Sequence, residues 1–385
     1  MPYELALTKC AQYDDALVAE SLTRVLAPLG GLARFIAPGQ RVLLKLNLLS
    51  AAAPERAVTT HPALVKAMIR QVQALGATPI LGDSPGGVNT RTSFAALLQT
   101  TGIMPVIEET GCEWVNFDDS FSEIATKRAR VFTQLMMVDI PREVDAVIAL
   151  PKLKTHQFTY LTGAVKLLYG YLPGLKKVEY HLHMGADAAR FAELLLDIYE
   201  TLPPTLFVMD AVVGMEGKGP SSGTPRQVGL LLAGQSGPAL DFLAAHLIGL
   251  APLEVPTIAV AAQRGIGPRA LEEITVHGED PGAVRIPDFQ PADTLRARGI
   301  PPWIATLSSW LFAPRPVIDP VACRKCGICV KSCPPHTITM TAGAVPVIHP
   351  HACIRCFCCH ELCPAQAIDV AGPRFSMPGL RKKRG

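Results

Sequence analysis

The sequence predicts an α/β body with a mixed or mostly parallel sheet, followed by a small α+β domain. Three observations carry this expectation. Apolar runs such as Arg41 to Leu48 alternate with helix-period stretches through the first 295 residues, the pattern of strand–helix–strand units. Eight cysteines between Cys323 and Cys363 repeat one spacing twice. A chain of 385 residues, 49% hydrophobic and 18% charged, is long and apolar enough for two or three domains with sizeable cores. The expected division is 1–295 for the body, 296–316 for a linker with a short amphipathic helix, 317–371 for the cysteine-rich domain and 372–385 for a basic tail.

Tyr3 to Thr8 reads as the first strand, and Asp14 or Asp15 can cap a helix running to about Leu26. Arg41 to Leu48 is apolar except for Lys45 and Asn47, whose alternate positions near the strand's C-terminal end put both on one face. Thr60 or His61 then caps a helix with Pro62 in its first turn. Its apolar face is Leu64, Val65, Met68, Val72 and Leu75, and Gly76 ends it. Thr78 to Leu81 returns as a strand and runs into Gly82-Asp83-Ser84-Pro85-Gly86-Gly87. Open α/β sheets bind ligands at the C-terminal ends of strands, where Asn47 and this loop fall. The loop is neither a Walker loop nor a GxGxxG fingerprint. Plain turn chemistry accounts for its glycines as well as an anion does.

Ser93 to Gln99 is expected as a helix, with strands at Cys112 to Asn116, Arg128 to Val138 and Ala146 to Leu150. The last runs into Pro151-Lys152-Leu153-Lys154-Thr155-His156, where an extended chain sets Lys152, Lys154 and His156 on one side. That is an anion site or a solvated edge. Thr162 to Tyr171 is a helix or helical turn carrying Lys166, and Gly174 to His183 is expected as a loop. Its His181-x-His183 pair has no nearby carboxylate or cysteine to complete a metal site. Ala188 to Leu202 has helix period. Thr205 to Met209 is a strand with Asp210 at its C-terminal end, and Gly214 to Pro220, with Glu216 and Lys218, has the composition of a lid. Gln227 to Ala233 and Pro238 to Leu250 follow as strand and helix, with Asp241 near the helix N-terminus.

The stretches VLLKLNLL, TTHPALVKAMI, LGDSPGG, LPKLKTH, VKLLYG, MDAVVGMEGKGPSSG and ALDFLAAHLIGL resemble the family called domain of unknown function 362, over roughly Val42 to Gly278. The resemblance implies an α/β core, often fused to a ferredoxin module, and no established reaction. The candidate site is therefore drawn from polar residues at strand ends in these stretches. Lys45, Asn47, Asp83, Lys152, Lys166, Glu216 and Lys218 are candidates for substrate binding. Lys154, His156 and Asp210 are candidates for acid–base work. The basic surplus of this ring suits a carboxylate or phosphate.

After the body, Trp303, Ile304, Leu307, Trp310 and Leu311 recur at helical spacing. They read as a docking helix or an interfacial anchor, and the missing basic face favours docking. Cys-x2-Cys-x2-Cys-x3-Cys-Pro then occurs twice at an offset of 30, Cys323 mapping onto Cys353. Three cysteines two residues apart let one tight loop wrap three corners of an iron–sulfur cube, and the fourth ligates the other cluster. Cys323, Cys326, Cys329 and Cys363 form one set; Cys353, Cys356, Cys359 and Cys333 form the second. Zinc usually shows two separated Cys-x2-Cys pairs, and the same spacing argues against a disulfide framework. Cys358 is either a small buried packing residue or a spare redox-active thiol. Ile318, Ile338, Ile348 and Ile368 are placed to wall the clusters from water. The segment resembles the bacterial two-cluster ferredoxin-like domain, which implies two 4Fe-4S clusters and one-electron transfer at low potential.

The function expected is that of an oxidoreductase passing electrons from the clusters to an anionic small molecule on the body. Two-electron chemistry usually needs a further carrier, so an additional, unidentified cofactor is part of that expectation, although no fingerprint for one is visible. The alternatives are a non-catalytic electron carrier, an assembly factor or a redox sensor docking a protein partner. Each implies an electron-donor or acceptor protein. A net charge of +3 is too small to argue for nucleic acid. With only Cys10 and Cys112 outside the cysteine-rich domain, the pattern is metal-binding rather than secreted. No signal-peptide core opens the chain and no uncharged run reaches the roughly 20 apolar residues of a spanning helix. A cytoplasmic protein without a membrane anchor is expected.

Overall fold

Ten strands of the body form one sheet among the residues described by the computed structural model, which are 2–87, 89–296 and 314–371. The stripe from Trp303 to Leu311 and the basic tail lie outside them. In chain order the body's strands are β1 (Tyr3–Lys9), β2 (Arg41–Lys45), β3 (Thr78–Asp83), β4 (Glu113–Asn116), β5 (Phe121–Ala125), β6 (Gln134–Val138), β7 (Ala146–Ala149), β8 (Lys152–His156), β9 (Tyr160–Thr162), β10 (Leu206–Glu216), β11 (Thr224–Gly234) and β12 (Ile274–Gly278). The sheet runs β12-β1-β11-β10-β7-β2-β3-β4, with β8 and β9 extending it from β10 and β5–β6 a separate hairpin. Neighbours from β10 through β7, β2 and β3 to β4 are parallel, while β11 is antiparallel to both β1 and β10. The sheet is thus mixed and mostly parallel.

Period-2 alternation explains why both faces are covered. On β2, Val42 and Leu44 enter one core, with Val18 and Leu22 of α1 (Asp15–Leu26) and Leu64 and Met68 of α2 (Pro62–Ala74). Leu43 enters the other. The first face also takes Phe94 of α3 (Arg91–Thr100) and Ile103 of α4 (Ile103–Thr110). The opposite face is packed by α5 (Ala164–Leu167), α6 (Gly174–Met184), α7 (Ala188–Thr201), α8 (Gly237–Leu247) and α9 (Pro256–Arg264). Asp14 caps α1 and His61 caps α2, with Pro62 at its first position, where a missing N–H costs nothing.

The cysteine-rich domain is a small α+β unit. Arg315–Ile318 pairs antiparallel with Ile368–Ala371, and Ile338–Thr339 with Val347–Ile348. One-turn helices at Ile328–Lys331 and Cys358–Glu361 follow the two cysteine loops. Ile338 and Ile368 are buried with Cys329, Cys333 and Cys359, and Ile318 and Ile348 pack against them. The two halves share left-handed backbone at the same places: Lys325 and Arg355, Gly327 and Phe357, His336 and Gln366.

Three expectations need correcting. Gly174 to His183 is helix α6, not a loop, because Lys177, Tyr180, His181 and Met184 at helical spacing bury one face. Asp210 stands in the middle of β10, which continues to Glu216; a bulge between Ala211 and Val213 carries the strand past its expected end. The strand expected from Arg128 to Val138 is confined to β6. No helix among the described residues is long and apolar enough to cross a membrane.

Candidate functional site

The C-terminal ends of β2, β3 and β8 converge on a cavity of about 90 Å³ whose far wall is the cysteine-rich domain. Lys45 ends β2 and Asp83 ends β3, both buried, and their side chains meet at 2.5 Å. Lys45 also donates to the Leu46 carbonyl at 2.8 Å, while Asp83 accepts from the Leu48 and Ser84 N–H groups. A Cβ on Gly170 would lie 2.6 Å from Lys45 Nζ, so this pair needs glycine above it. Lys177 of α6 ties down the loop after β3, donating to the Ser84 carbonyl and hydroxyl at 2.7 and 2.5 Å. The loop's Gly86 serves the domain junction: a Cβ there would sit 2.5 Å from Leu362 Cδ2.

The remaining body wall includes the polar side chains of Asn47, Lys154, His156, Thr162, Lys166, Tyr169 and His181. Lys154 Nζ donates to the Val58 carbonyl at 2.6 Å; burial first, then Lys166, pushes its pKa down to about 7. His156 Nδ1 accepts from the Phe158 and Thr159 N–H groups, which places the proton of the neutral ring on Nε2. Nε2 lies 2.8 Å from Glu361 Oε1 but out of line, so neither atom has a well-formed hydrogen bond. Burial holds His156 down to about 4. Glu361 is raised by its burial, yet His156 and Lys166 outweigh this and leave it well below the usual carboxylate range. Lys166, half-buried, sits 5.3 Å from the Tyr169 ring and 5.7 Å from Phe191, with no hydrogen-bond or ion-pair partner among the described residues. His181 stacks on Phe191 at 4.5 Å. Asn47 Oδ1, Thr162 Oγ1 and His181 Nδ1 are buried without hydrogen-bond partners around the same space.

Of the residues singled out in the sequence, Lys45, Asn47, Asp83, Lys154, His156 and Lys166 line the cavity. Lys152 and Asp210 do not. They form their own buried pair at 2.9 Å, closed by the Tyr13 hydroxyl, which donates to Asp210 at 2.7 Å, and by the His61 N–H. Glu216 accepts from the Gln290 N–H, away from the cavity. The expected lid is instead a seat for the cysteine-rich domain: Lys218 pairs with Asp369 at 2.5 Å, and the Ser221 carbonyl accepts from Gln366 at 2.7 Å. Sequence reasoning missed Thr162, Tyr169, Lys177, His181 and Glu361. A helical reading of LKKVEYHLHM would have found Lys177 and His181, since the two lie four residues apart on one face. His183 is exposed two positions on, so the histidine pair diverges.

The other side of Glu361 is the cysteine repeat. Burial raises the Cys329 and Cys359 thiols, and neighbouring cysteines add to it: Cys363, Cys326 and Cys323 for Cys329, and Cys356, Cys353, Cys333 and Cys329 for Cys359. Backbone N–H groups of Lys325, Thr337 and Ala367 point at Cys323, Cys333 and Cys363 Sγ at 3.3–3.4 Å. Such donors and an apolar wall fit thiolate-held iron–sulfur clusters.

An α/β body closed by an iron–sulfur, ferredoxin-like module is thus the class of protein that the fold and site define, and the module supports an electron-transfer role. The chain belongs to the family described as domain of unknown function (DUF362), whose model matches residues 42–246, and a 4Fe-4S dicluster domain matches residues 315–364. It is 36% identical over 277 residues to a thylakoid-associated protein of Synechocystis, covering 71% of this chain and 83% of that one. Among solved structures it is similar to the lactate racemase apoprotein of Thermoanaerobacterium thermosaccharolyticum, with a TM-score of 0.37 and 11% identity, over 60% of this chain and 54% of that one. A Thermotoga maritima protein matches at the same TM-score and identity, over 66% of this chain and 60% of its own.

Proposed function

We propose that the protein is an oxidoreductase that exchanges electrons with a small anionic molecule held between the α/β body and the second half of the dicluster module. One observation carries this reading: the buried, unpartnered polar atoms of Asn47, Thr162 and His181 and the uncommitted cation Lys166 surround a space closed by the cysteine-loop helix Cys358–Glu361. Buried polar atoms are normally satisfied, and a ligand would satisfy these. A space of about 90 Å³ suits a few heavy atoms, such as a short carboxylate or an oxyanion, rather than a nucleotide-sized group.

In this reading two 4Fe-4S clusters are held by Cys323, Cys326, Cys329 and Cys363 and by Cys353, Cys356, Cys359 and Cys333, and they supply single electrons. The chain's own side chains do the rest. Lys166 and Lys154 neutralise the ligand's charge. Lys154, lowered to about 7, is the group from which a proton can move, while His156 and His181, held neutral by burial, offer hydrogen bonds only. Asp83 holds Lys45 in place and does not react. An electron-transfer protein reaches the first half, where Cys326 is exposed between Lys325 and Gly327.

The test is rapid mixing of the anaerobically reduced full chain with a panel of short carboxylates and oxyanions, following cluster absorbance. At least one anion is expected to reoxidise the protein, and Lys166→Gln to slow that reaction at least tenfold. Reoxidation by none, or equal rates in Lys166→Gln, would contradict the reading.

A further inference from the structure

Strands β8 and β9 bring three side chains to one wall of the cavity. They pair antiparallel with Lys154 opposite Thr162. Directly opposed residues share a face, with Cβ atoms about 5 Å apart. His156, two positions along β8, lies on that face as well. All three line the cavity, and Thr162 Oγ1 and His156 Nε2 are buried without a well-formed hydrogen bond. The buried lysines of the body differ in what holds them. Lys45 pairs with Asp83 and Lys152 with Asp210. Lys177 donates to the Ser84 carbonyl and hydroxyl and to the Pro85 carbonyl. Lys154, 1% exposed, forms no ion pair among the described residues, and its nitrogen donates to the Val58 carbonyl. A buried ammonium without a counterion is costly, so burial favours the neutral amine. With one N–H on Val58, the lone pair of that amine remains available. Its lowering to about 7, by burial and then by Lys166, agrees with this geometry and is how lysine nucleophiles are activated.

We infer that Lys154 is a nucleophile toward the carbonyl of a short 2-oxo acid whose carboxylate pairs with Lys166. The Lys154 nitrogen adds to the carbonyl carbon, and the carbonyl oxygen takes up the proton that the nitrogen gives up. That oxygen then leaves as water with the amine's second proton, and a C=N bond remains. Amine and ketone thus give imine and water, with no electron gained or lost. The Thr162 hydroxyl and His156 Nε2–H are donors placed for the carbonyl oxygen; His156 Nδ1 is occupied by the Phe158 and Thr159 N–H groups, which fixes the proton on Nε2. Lys166 is partly exposed and has no hydrogen-bond or ion-pair partner among the described residues, so it can take the carboxylate. An anion alone calls for cations; a neutral amine flanked by two unpartnered donors suits a carbonyl besides. Imine formation rests on the proposed function only in placing the anion in this cavity, and not on electron transfer.

The test is chemical trapping on the native full chain, purified anaerobically, so that no variant needs to fold. The chain is incubated with pyruvate at neutral pH, the imine is reduced with sodium cyanoborohydride, and the labelled lysines are located by peptide mass mapping. An ordinary lysine is almost wholly protonated at that pH, so label is expected on Lys154 roughly tenfold or more ahead of any other lysine. Acetone, which has the carbonyl without the carboxylate, should label Lys154 far more slowly, and propionate, which has the carboxylate without the carbonyl, should protect it from pyruvate. Label spread over exposed lysines, label on Lys166 instead, equal labelling by acetone, or no protection by propionate would overturn the inference. Cluster absorbance keeps the two readings apart. Lys154 unlabelled while anions still reoxidise the clusters removes the imine and leaves the oxidoreductase; Lys154 labelled without reoxidation by any anion supports the imine and removes the oxidoreductase.

Discussion

Gly327 and Phe357 occupy the same place in the two halves of the cysteine repeat, and both hold a left-handed backbone, φ 72° and 62°. For glycine that conformation is free; for phenylalanine it costs energy. The second half tolerates the cost because the Phe357 ring is buried in the same core as α5 to α9 of the body. The same substitution pattern continues along the helix: Ile328, Val330, Lys331 and Ser332 become Cys358, His360, Glu361 and Leu362. In the first half these residues meet solvent or the domain's own interior. In the second, His360 contacts the Ile368 and Lys218 carbonyls, Glu361 faces His156, and Leu362 lies over Gly86. One ligand spacing thus serves two tasks. The difference lies in the residues between the cysteines, not in the cysteines.

Paired substitutions break the comparison most sharply at its most buried charge. Glu361→Ala removes the buried carboxylate whose charge His156 and Lys166 offset, and losing the group opposite a buried polar atom costs up to about 3 kcal/mol. Lys331→Ala, its exposed counterpart, is expected to leave the denaturation midpoint unchanged. Equal effects of the two in anaerobic urea unfolding would remove the asymmetry. Next in size, Phe357→Ala is expected to cost about 3 kcal/mol through the lost core packing, against about 1 kcal/mol for Gly327→Ala through backbone strain alone. The same unfolding curves read both.

Metal removal sharpens the contrast without mutation. Cys326 is exposed, whereas Cys333, Cys356 and Cys359 are buried. A chelator added under mild oxidation is therefore expected to empty the first cluster several-fold faster than the second, as followed by EPR.

A pH dependence comes from the cavity itself. Lys154 is lowered in the fold to about 7 from an ordinary 10.5, so between these values the unfolded chain binds more protons. Stability from this group accordingly falls as pH drops from about 10.5 to 7 and is level below. Lys154→Met should flatten that slope in denaturation measured across the window. An anion beside Lys154 favours its charged form, so ligand affinity should weaken as pH rises through 7.

The sequence made the cysteine sets legible because their spacing is local, and most strands legible because alternation and apolar runs mark them. Six of the cavity residues were found by asking which polar side chains end strands. What stayed hidden depends on distant packing. Lys152 and Asp210 look like site residues until β8 and β10 are paired, at which point Tyr13, 197 positions before Asp210, closes them off. The polar turn after β10 has the composition of a lid, yet its carbonyls are acceptors for His360 and Gln366. Glu361 reads as an ordinary helix residue, and only the docking of the module turns it toward His156.

The most direct test of the account is an anaerobic crystal structure of the cluster-loaded protein, soaked with the anion that reoxidises it fastest. The account predicts that anion in the cavity, bonded to Lys166 and in reach of Asn47 and His181, with Glu361 and Cys358 between it and the second cluster. An anion bound at the exposed first half, with the cavity filled by water alone, would contradict it.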